Sequence, residues 1–270
     1  MSEKNEKKVT DAEYNFYKQF KKEQLSNSQK SKLISFQENQ KKAVITPAVI
    51  EYNKRLWNRS EPKKRTYNDL LNALKLQFAV NEKSTFDDNQ LNNINTILYY
   101  FLKDKKFFQC SNLSSLSKPS FDKGLLIVGG YGVGKSVTME CLHKLFLNTE
   151  FHFKFSSANK VVSNYDGLKN SDEKKSFFNS VCDHRMYIDD LKTERDANNF
   201  GRINLFKEIL EERINNKKMT FASCNYAPDD DSNSLQLCLE EFHNRYGARV
   251  YDRIFQMFNI VEFFGQSMRK

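Results

Sequence analysis

The sequence has little of what builds disulfide-stabilised, metal-binding or membrane-spanning proteins. Its five cysteines are scattered and no two form a CxxC pair, which argues against a cysteine metal site and favours free thiols in a reducing cytosol. No apolar run approaches the ~18 residues of a membrane-spanning helix. The polar N-terminus has no apolar core of a secretory leader. We therefore expect a soluble, cytoplasmic protein.

Glycine is scarce as well, and its distribution divides the chain. All 9 glycines lie at or after Gly124. Residues 1–120 hold 22 Lys and Arg against 13 Asp and Glu, whereas residues 121–270 hold 21 of each, so the first part carries the whole net charge of +9. Two compositions predict two modules with different roles. The basic part suits contact with DNA phosphates or a partner protein, although a solvated tail has the same composition.

The pattern along the chain predicts three segments. Residues 1–65 are rich in Lys, Gln, Asn, Ser and Glu. This composition predicts a basic, partly ordered helical module that binds a partner. Residues 66–120 predict a helical connector that ends in a serine-rich linker. Residues 121–270 alternate strands with helices, which is typical of an α/β domain with a parallel sheet.

Hydrophobic spacing locates the individual elements of this pattern. The predicted helices cover residues 67–80, 87–108, 137–146, 161–168, 174–181, 204–214 and 235–258, the last with an interruption near Gly247. The predicted strands cover residues 124–128, 151–155, 184–190, 218–225 and 259–264.

The strongest functional signal is a glycine-rich stretch. Residues 129–136 read Gly-Gly-Tyr-Gly-Val-Gly-Lys-Ser, a complete GxxxxGK[ST] motif between a predicted strand and a predicted helix. There, backbone N–H groups and the helix N-terminus surround phosphate oxygens. We expect Lys135 to contact the β- and γ-phosphates of ATP and Ser136 to bind Mg²⁺. The expected nucleotide-binding residues are Gly129, Gly130, Tyr131, Gly132, Val133, Gly134, Lys135, Ser136 and Val137.

Polar residues lie at the ends of two later predicted strands, residues 184–190 and 218–225. Asp189 is expected to bind Mg²⁺ beside Ser136. Asp190 is expected to orient or deprotonate the attacking water, and the amide of Asn225 to help position that water. Strand-end Asp and Asn also occur in ordinary turns, so the prediction depends on the order of glycine loop, acidic strand end and amide strand end.

Three arginines recur at intervals of four residues. On one helix, Arg245, Arg249 and Arg253 would form a single stripe. A solvated basic face is the usual explanation of such spacing. The alternative is an arginine supplied to the γ-phosphate bound by a neighbouring subunit, because its planar donor fork stabilises the charge that spreads over a transferring phosphoryl group.

These stretches resemble the AAA+ ATPases of the DnaC/IstB group, which comprises replicative helicase loaders and their transposition relatives. The resemblance covers residues 86–270, and it departs from the group at Lys192, where Gly is usual, and at Cys224, where Ser is usual. It is carried by the phosphate loop and by the stretches Tyr-Ile-Asp-Asp-Leu at 187–191, Phe-Ala-Ser-Cys-Asn at 221–225, Gly-Ala-Arg-Val-Tyr-Asp-Arg at 247–253 and Gly-Gln-Ser-Met-Arg at 265–269.

The resemblance implies an AAA+ P-loop domain of three layers with a parallel central sheet, preceded by a smaller, basic, mainly helical module. It implies a Mg²⁺-dependent ATPase whose subunits assemble on ATP binding. Arg249 or Arg253 would face the ATP of the next subunit, with Arg249 favoured, and the role of Arg269 is left open.

The function implied is that of a helicase loader in DNA replication initiation. Such a protein binds a replicative helicase and single-stranded DNA; ATP drives assembly and hydrolysis drives release. One alternative is a transposition ATPase that selects target DNA for a transposase. Another, from a different class, is a monomeric small-molecule P-loop kinase, which would need no arginine from a second subunit.

Overall fold

A computed structural model describes residues 66–82, 87–147, 149–199, 201–227 and 232–268. The predicted N-terminal module, residues 1–65, and Arg269 lie outside the described residues. Within those ranges, no helix is both long and apolar enough to cross a bilayer.

Helices and strands alternate through most of the described chain. The helices are α1 (Tyr67–Glu82), α2 (Asp88–Phe101), α3 (Lys135–Leu145), α4 (Ala158–Asp166), α5 (Ser171–Cys182), α6 (Leu205–Asn215), α7 (Leu235–Tyr246) and α8 (Ala248–Met257), with a short 3-10 helix at Lys105–Gln109. The strands are β1 (Gly124–Gly129), β2 (Lys154–Ser157), β3 (Met186–Asp189), β4 (Ala197–Asn198), β5 (Arg202–Ile203), β6 (Thr220–Cys224) and β7 (Phe258–Phe263).

Five strands form one parallel sheet in the order β2-β3-β6-β1-β7. Strands that are neighbours in this sheet are not joined by hairpins, because parallel neighbours need crossover connections, and helices make them here. The predicted α/β P-loop architecture with a parallel central sheet is confirmed. β4 and β5 form a separate antiparallel pair, which the sequence pattern did not predict.

The sheet lies between two layers of helices. Along each strand, successive side chains point to opposite faces. Leu126, Ile188 and Ala222 belong to a buried cluster on one face, together with residues of α4 to α8. On the other face, the ring of Phe221 packs against rings of α2, and its centroid lies 5.3 Å from the centroid of the Phe101 ring. The domain therefore has the three layers that were expected.

Several predicted elements differ from the observed ones in their bounds, and two of these differences have a clear physical reason. The helix predicted to continue to residue 108 ends at Phe101, because Lys103 has a left-handed backbone with φ 52 and Asp104 then caps the 3-10 helix. The strand predicted at 151–155 begins only at Lys154, which pairs with Met186. Phe151 and Phe153, which precede it, pack against other aromatic rings and do not pair with a neighbouring strand.

The predicted serine-rich linker lies along the outer edge of the sheet. The N–H of Ser114 donates to the Ile260 carbonyl at 2.9 Å, and the N–H of Glu262 donates to the Asn112 carbonyl at 2.8 Å. Leu113 and Val261 form an antiparallel bridge. These bonds occupy edge groups of β7 that would otherwise be open to pairing.

Candidate nucleotide-binding site

The glycine-rich loop joins β1 to α3 at the carboxyl edge of the sheet. Gly132 and Gly134 have φ of 77° and 93°, a region that favours glycine. Gly134 is also the N-cap of α3 and supplies no side-chain cap. The first N–H groups of an α-helix have no partner within the helix. The loop and the helix start therefore have the geometry of a phosphate site.

Lys135 is the first residue of α3, and its ammonium lies under the loop. It donates to the carbonyls of Gly129 and Gly130, each at 2.7 Å, and to Asn225 Oδ1 at 2.9 Å. The residue is only 5% exposed. The structure thus joins the loop lysine to Asn225, the strand-end amide that the sequence predicted to help position water.

Three hydroxyl groups converge on one carboxylate oxygen. Asp189 Oδ1 accepts from Ser136 Oγ at 2.8 Å, from Tyr187 Oη at 2.7 Å and from Ser223 Oγ at 2.6 Å. Burial, and then the charge of Asp189, raises the pKa of Tyr187 well above its usual value, so this hydroxyl keeps its proton and remains a donor. The predicted pair of Ser136 and Asp189 is therefore in direct contact.

The donor set is of the kind that Mg²⁺ binds. Mg²⁺ prefers oxygen ligands and is usually held by one or two protein groups together with water and phosphates. The Ser136 hydroxyl and the Asp189 carboxylate meet this requirement at the end of the phosphate loop. These two residues would hold the ion together with the phosphates of a nucleotide.

Asp190 follows with an unusual backbone. Its φ is 54°, in the left-handed region that a residue with a Cβ seldom adopts. Its N–H donates to Ser223 Oγ at 3.1 Å, and its carbonyl accepts from Thr193 Oγ1 at 2.7 Å. The chain turns sharply here, and both Asp189 and Asp190 are half-buried.

The segment after β7 lies over the phosphate loop. The N–H of Met268 donates to the Gly132 carbonyl at 3.0 Å. Upstream, the side chain of Asn93 in α2 holds Phe264 through both backbone groups, at 2.7 and 3.2 Å. A Cβ at Gly132 would lie 2.2 Å from Ser267 Oγ and 3.2 Å from Ser267 Cα. The loop is therefore fitted to this segment.

The Gly132→Ala variant is expected to lose about 2 kcal/mol of unfolding free energy. The left-handed backbone is unfavourable for alanine, and the new methyl group would displace Ser267. Urea denaturation measures the loss. Gly130→Ala is the matched control in the same loop, because its Cβ would meet only Val133 Cγ1, at 3.8 Å. Equal stability of the two variants would contradict this account of the loop.

Only two of the three arginines predicted to form one stripe lie on the same helix. Arg245 ends α7, whereas the other two lie on α8, because Gly247 with φ 87 and ψ 165 separates the helices. Arg245 donates to both the side chain and the backbone carbonyl of Glu194, whose Oε1 also accepts from Tyr246. Arg245 therefore anchors the loop after β3 to α7.

Arg249 and Arg253 face α6. Arg249 Nη1 lies 3.7 Å from Glu211 Oε2, with the arginine side chain 57% exposed, and Arg253 Nη1 donates to Asn215 Oδ1 at 3.2 Å. An exposed ion pair such as that of Arg249 contributes little stability, and the bond of Arg253 is to a neutral amide, so both side chains can exchange partners at small cost. α8 leads directly into β7, whose first residue, Phe258, pairs with Gly124 at the end of the sheet away from the phosphate loop.

Several site residues were missed from the sequence. Tyr187 lies two positions before Asp189 on the same face of β3, and this spacing could have identified it from the sequence. Ser223 lies on the neighbouring strand, and only the sheet order brings it to Asp189. The sequence marked Lys192 only as a departure from the motif of the family that the chain resembles. In the structure its ammonium donates to the Asn225 carbonyl at 3.0 Å.

Comparisons with known proteins concern the fold. No protein-family model and no curated protein match the chain. Among solved structures, the DnaC helicase loader is similar with a TM-score of 0.47 and 18% identity, over 68% of this chain and 95% of that one. DnaI is similar with a TM-score of 0.44 and 18% identity, over 69% of this chain and 87% of that one. At these values the comparisons assign no role to any residue.

The sheet order and the loop together define the class. The chain is an α/β protein with a P-loop domain built on a five-stranded parallel sheet. The contacts of Lys135, Ser136 and Asp189 at the loop are properties of this chain and do not depend on the comparisons.

Proposed function

We propose that the chain is an ATP-dependent helicase loader of the DnaC type, which binds a replicative helicase and single-stranded DNA during replication initiation. ATP binding drives assembly of an oligomer, and hydrolysis drives release. The observation that carries the proposal is the meeting of Lys135 with Asn225 and of Ser136 with Asp189. The motif resemblance supports the loader assignment.

The residues of the site divide the work of ATP hydrolysis. Lys135 exchanges its loop carbonyls for oxygens of the β- and γ-phosphates, while Asn225 lies beside its ammonium. Ser136 and Asp189 would hold Mg²⁺, which would supply positive charge to the phosphates. Asp190 orients the attacking water and accepts its proton. The α3 N-terminus and the loop amides hold the phosphates.

The arginines complete the site across a subunit boundary. Arg249, with Arg253 as the second candidate, lies on an exposed face of α8 and reaches the γ-phosphate held by the next subunit. Because ATP then contacts two chains, its binding and the assembly of subunits are thermodynamically linked. The basic residues 1–65 provide the contact with the helicase or with DNA phosphates.

The test uses the full chain, a hexameric replicative helicase, circular single-stranded DNA and ATP with Mg²⁺. The expected result is transfer of the helicase onto the circle only when both the chain and ATP are present, with ATP turnover stimulated by single-stranded DNA. Binding to DNA should weaken steeply with added salt, because Lys and Arg displace counterions. Transfer that is independent of ATP would contradict the proposal.

The same preparation separates the alternatives. Preference for duplex DNA together with retention of a transposase would indicate the transposition ATPase. A monomer in ATP that phosphorylates a small acceptor without DNA would indicate the kinase. Either result replaces the loader assignment and leaves the phosphate site as described.

A further inference from the structure

A buried ammonium lies directly behind the strand-end amide of the site. The side chain of Lys192 is 8% exposed. Its Nζ donates to the Asn225 carbonyl at 3.0 Å, to Cys238 Sγ at 3.2 Å and to the Cys238 carbonyl at 3.4 Å, and it forms an ion pair with Glu241. Three parts of the chain therefore meet at this one group: the loop after β3, the end of β6 and the start of α7.

The backbone of Lys192 is held as firmly as its side chain. Its φ is 79°, in the left-handed region that a residue with a Cβ seldom adopts because it is strained there. Its N–H donates to Tyr246 Oη at 3.1 Å. Such backbone strain persists where the surroundings overdetermine the conformation, and it concentrates at functional sites.

Asn225 is consequently bound from both sides by lysines. Its carbonyl accepts from Lys192, and its side-chain Oδ1 accepts from Lys135 at 2.9 Å. The residue before it, Cys224, is fully buried, with its Sγ 3.7 Å from Cys238 Sγ. The amide that faces the phosphate loop thus depends on a support whose centre is the Lys192 ammonium.

The ammonium stays charged in this environment. Burial lowers the pKa of Lys192, but the nearby sulfurs of Cys224 and Cys238 and the hydrogen bond that the ammonium donates to Glu241 raise it by more, so the pKa lies above its usual value. Removing the charge would leave the Glu241 carboxylate without this donor and the buried Asn225 carbonyl with only the weaker donor Cys238 Sγ at 3.4 Å, and poorly paired buried acceptors are unfavourable.

We infer that Lys192 is a positioning residue for ATP hydrolysis, which acts by holding Asn225 in place beside Lys135. The inference rests on the proposed ATPase activity and adds to it a residue that contacts neither phosphate nor metal. Loss of the ammonium frees the Asn225 peptide and misplaces its amide. Binding of ATP, which depends on the loop and on Lys135, is largely preserved.

The experiment is a double-mutant cycle on the full chain with Lys192→Met, Asn225→Ala and the double variant. We expect Lys192→Met to lower kcat about tenfold while the ATP dissociation constant changes less than about threefold. In the Asn225→Ala background, the same change is expected to lower kcat no further, because the two residues act as one unit. The matched control is Lys144→Met, whose pairing with Glu140 at 2.8 Å is half-exposed.

A second readout does not require turnover. Amide hydrogen exchange in residues 220–227 is expected to rise about tenfold in Lys192→Met and to stay unchanged in Lys144→Met, since local opening reports on lost support. If the unmodified chain shows no ATPase activity, the proposed function fails, whereas unchanged exchange in Lys192→Met would overturn the positioning role. Additive losses in the cycle, or equal losses in affinity and kcat, would overturn it as well.

If Lys192→Met does not fold, a variant that keeps the Lys192 ammonium tests the inference instead. Glu241→Gln removes one partner of Lys192 and leaves its bond to the Asn225 carbonyl. We expect about a threefold fall in kcat, again absent in the Asn225→Ala background. An effect of Glu241→Gln that is as large in the Asn225→Ala background would contradict the inference.

Discussion

Replacement of Lys135 by alanine is expected to abolish ATP binding and every ATP-dependent assembly of the chain. The ammonium is the only cation within reach of the loop carbonyls of Gly129 and Gly130 among the described contacts, and it would meet two phosphates. Hydrogen bonds to charged groups contribute about 1.5–3 kcal/mol each, so affinity should fall on the order of 100-fold or more. Isothermal titration with ATP and Mg²⁺ measures the loss.

The control for this variant lies on the same helix. Lys144→Ala removes an exposed cation from the last turn of α3 and should leave ATP binding unchanged. Lys135→Ala must also be shown to fold, because Asn225 loses a buried partner. A folded Lys135→Ala chain that still assembles with ATP would refute the role assigned to the loop.

Replacement of Arg249 by alanine is expected to leave the ATP affinity of the single subunit intact and to lower kcat about 10³-fold or more. Arginines supplied in trans to a transferring phosphoryl group have effects of this size. The protein loses little stability, since the pairing of Arg249 with Glu211 is exposed. Steady-state ATPase assays and nucleotide titrations separate the two quantities. Arg202→Ala, a more exposed arginine paired with Asp196, is the matched control.

Mixing the two inactive variants tests whether the arginine acts across subunits. An Arg249→Ala subunit keeps its phosphate loop, and a Lys135→Ala subunit keeps its arginine. In a head-to-tail assembly, an interface that joins the phosphate loop of an Arg249→Ala subunit to the arginine of a Lys135→Ala subunit contains both intact halves and still binds ATP. Activity should therefore reappear on mixing although each variant alone is inactive.

The outcome also decides between the two arginines. If Arg249→Ala hydrolyses ATP normally, Arg253 becomes the candidate, and Arg253→Ala should then show the loss and the recovery on mixing. If both single variants and the double variant remain active, no arginine of α8 acts in trans. The assembly would then need a different explanation, whereas the phosphate site would not.

Local patterns predicted most of the fold. The strand, glycine loop and helix at residues 124–146 were correct because residue spacing alone specifies them: an apolar run, positions that need φ above zero, and a helical repeat. Bounds were inaccurate where a left-handed residue ends a helix, as at Lys103, and where ring packing imitates a strand, as at residues 151–155. The pair β4 and β5 was missed because two-residue strands leave no periodic signal.

The site could be predicted only in part. Lys135, Ser136, Asp189 and Asn225 were found because each ends or follows a recognisable element. The arrangement of Arg245 was not, since the spacing of four residues suggests a single stripe, although the interruption predicted near Gly247 places Arg245 on a different helix. The arginine instead pairs with Glu194, 51 residues earlier.

The sequence by itself determined that the chain contains a phosphate loop, an acidic strand end and a basic N-terminal part, because these depend on residue type and short spacing. The tertiary structure decided which groups meet: Tyr187 and Ser223 at Asp189, and Lys192 behind Asn225. Those contacts join residues from strands and helices far apart along the chain. Only the order of the parallel strands, and the packing of helices on both faces, brings them within hydrogen-bonding distance.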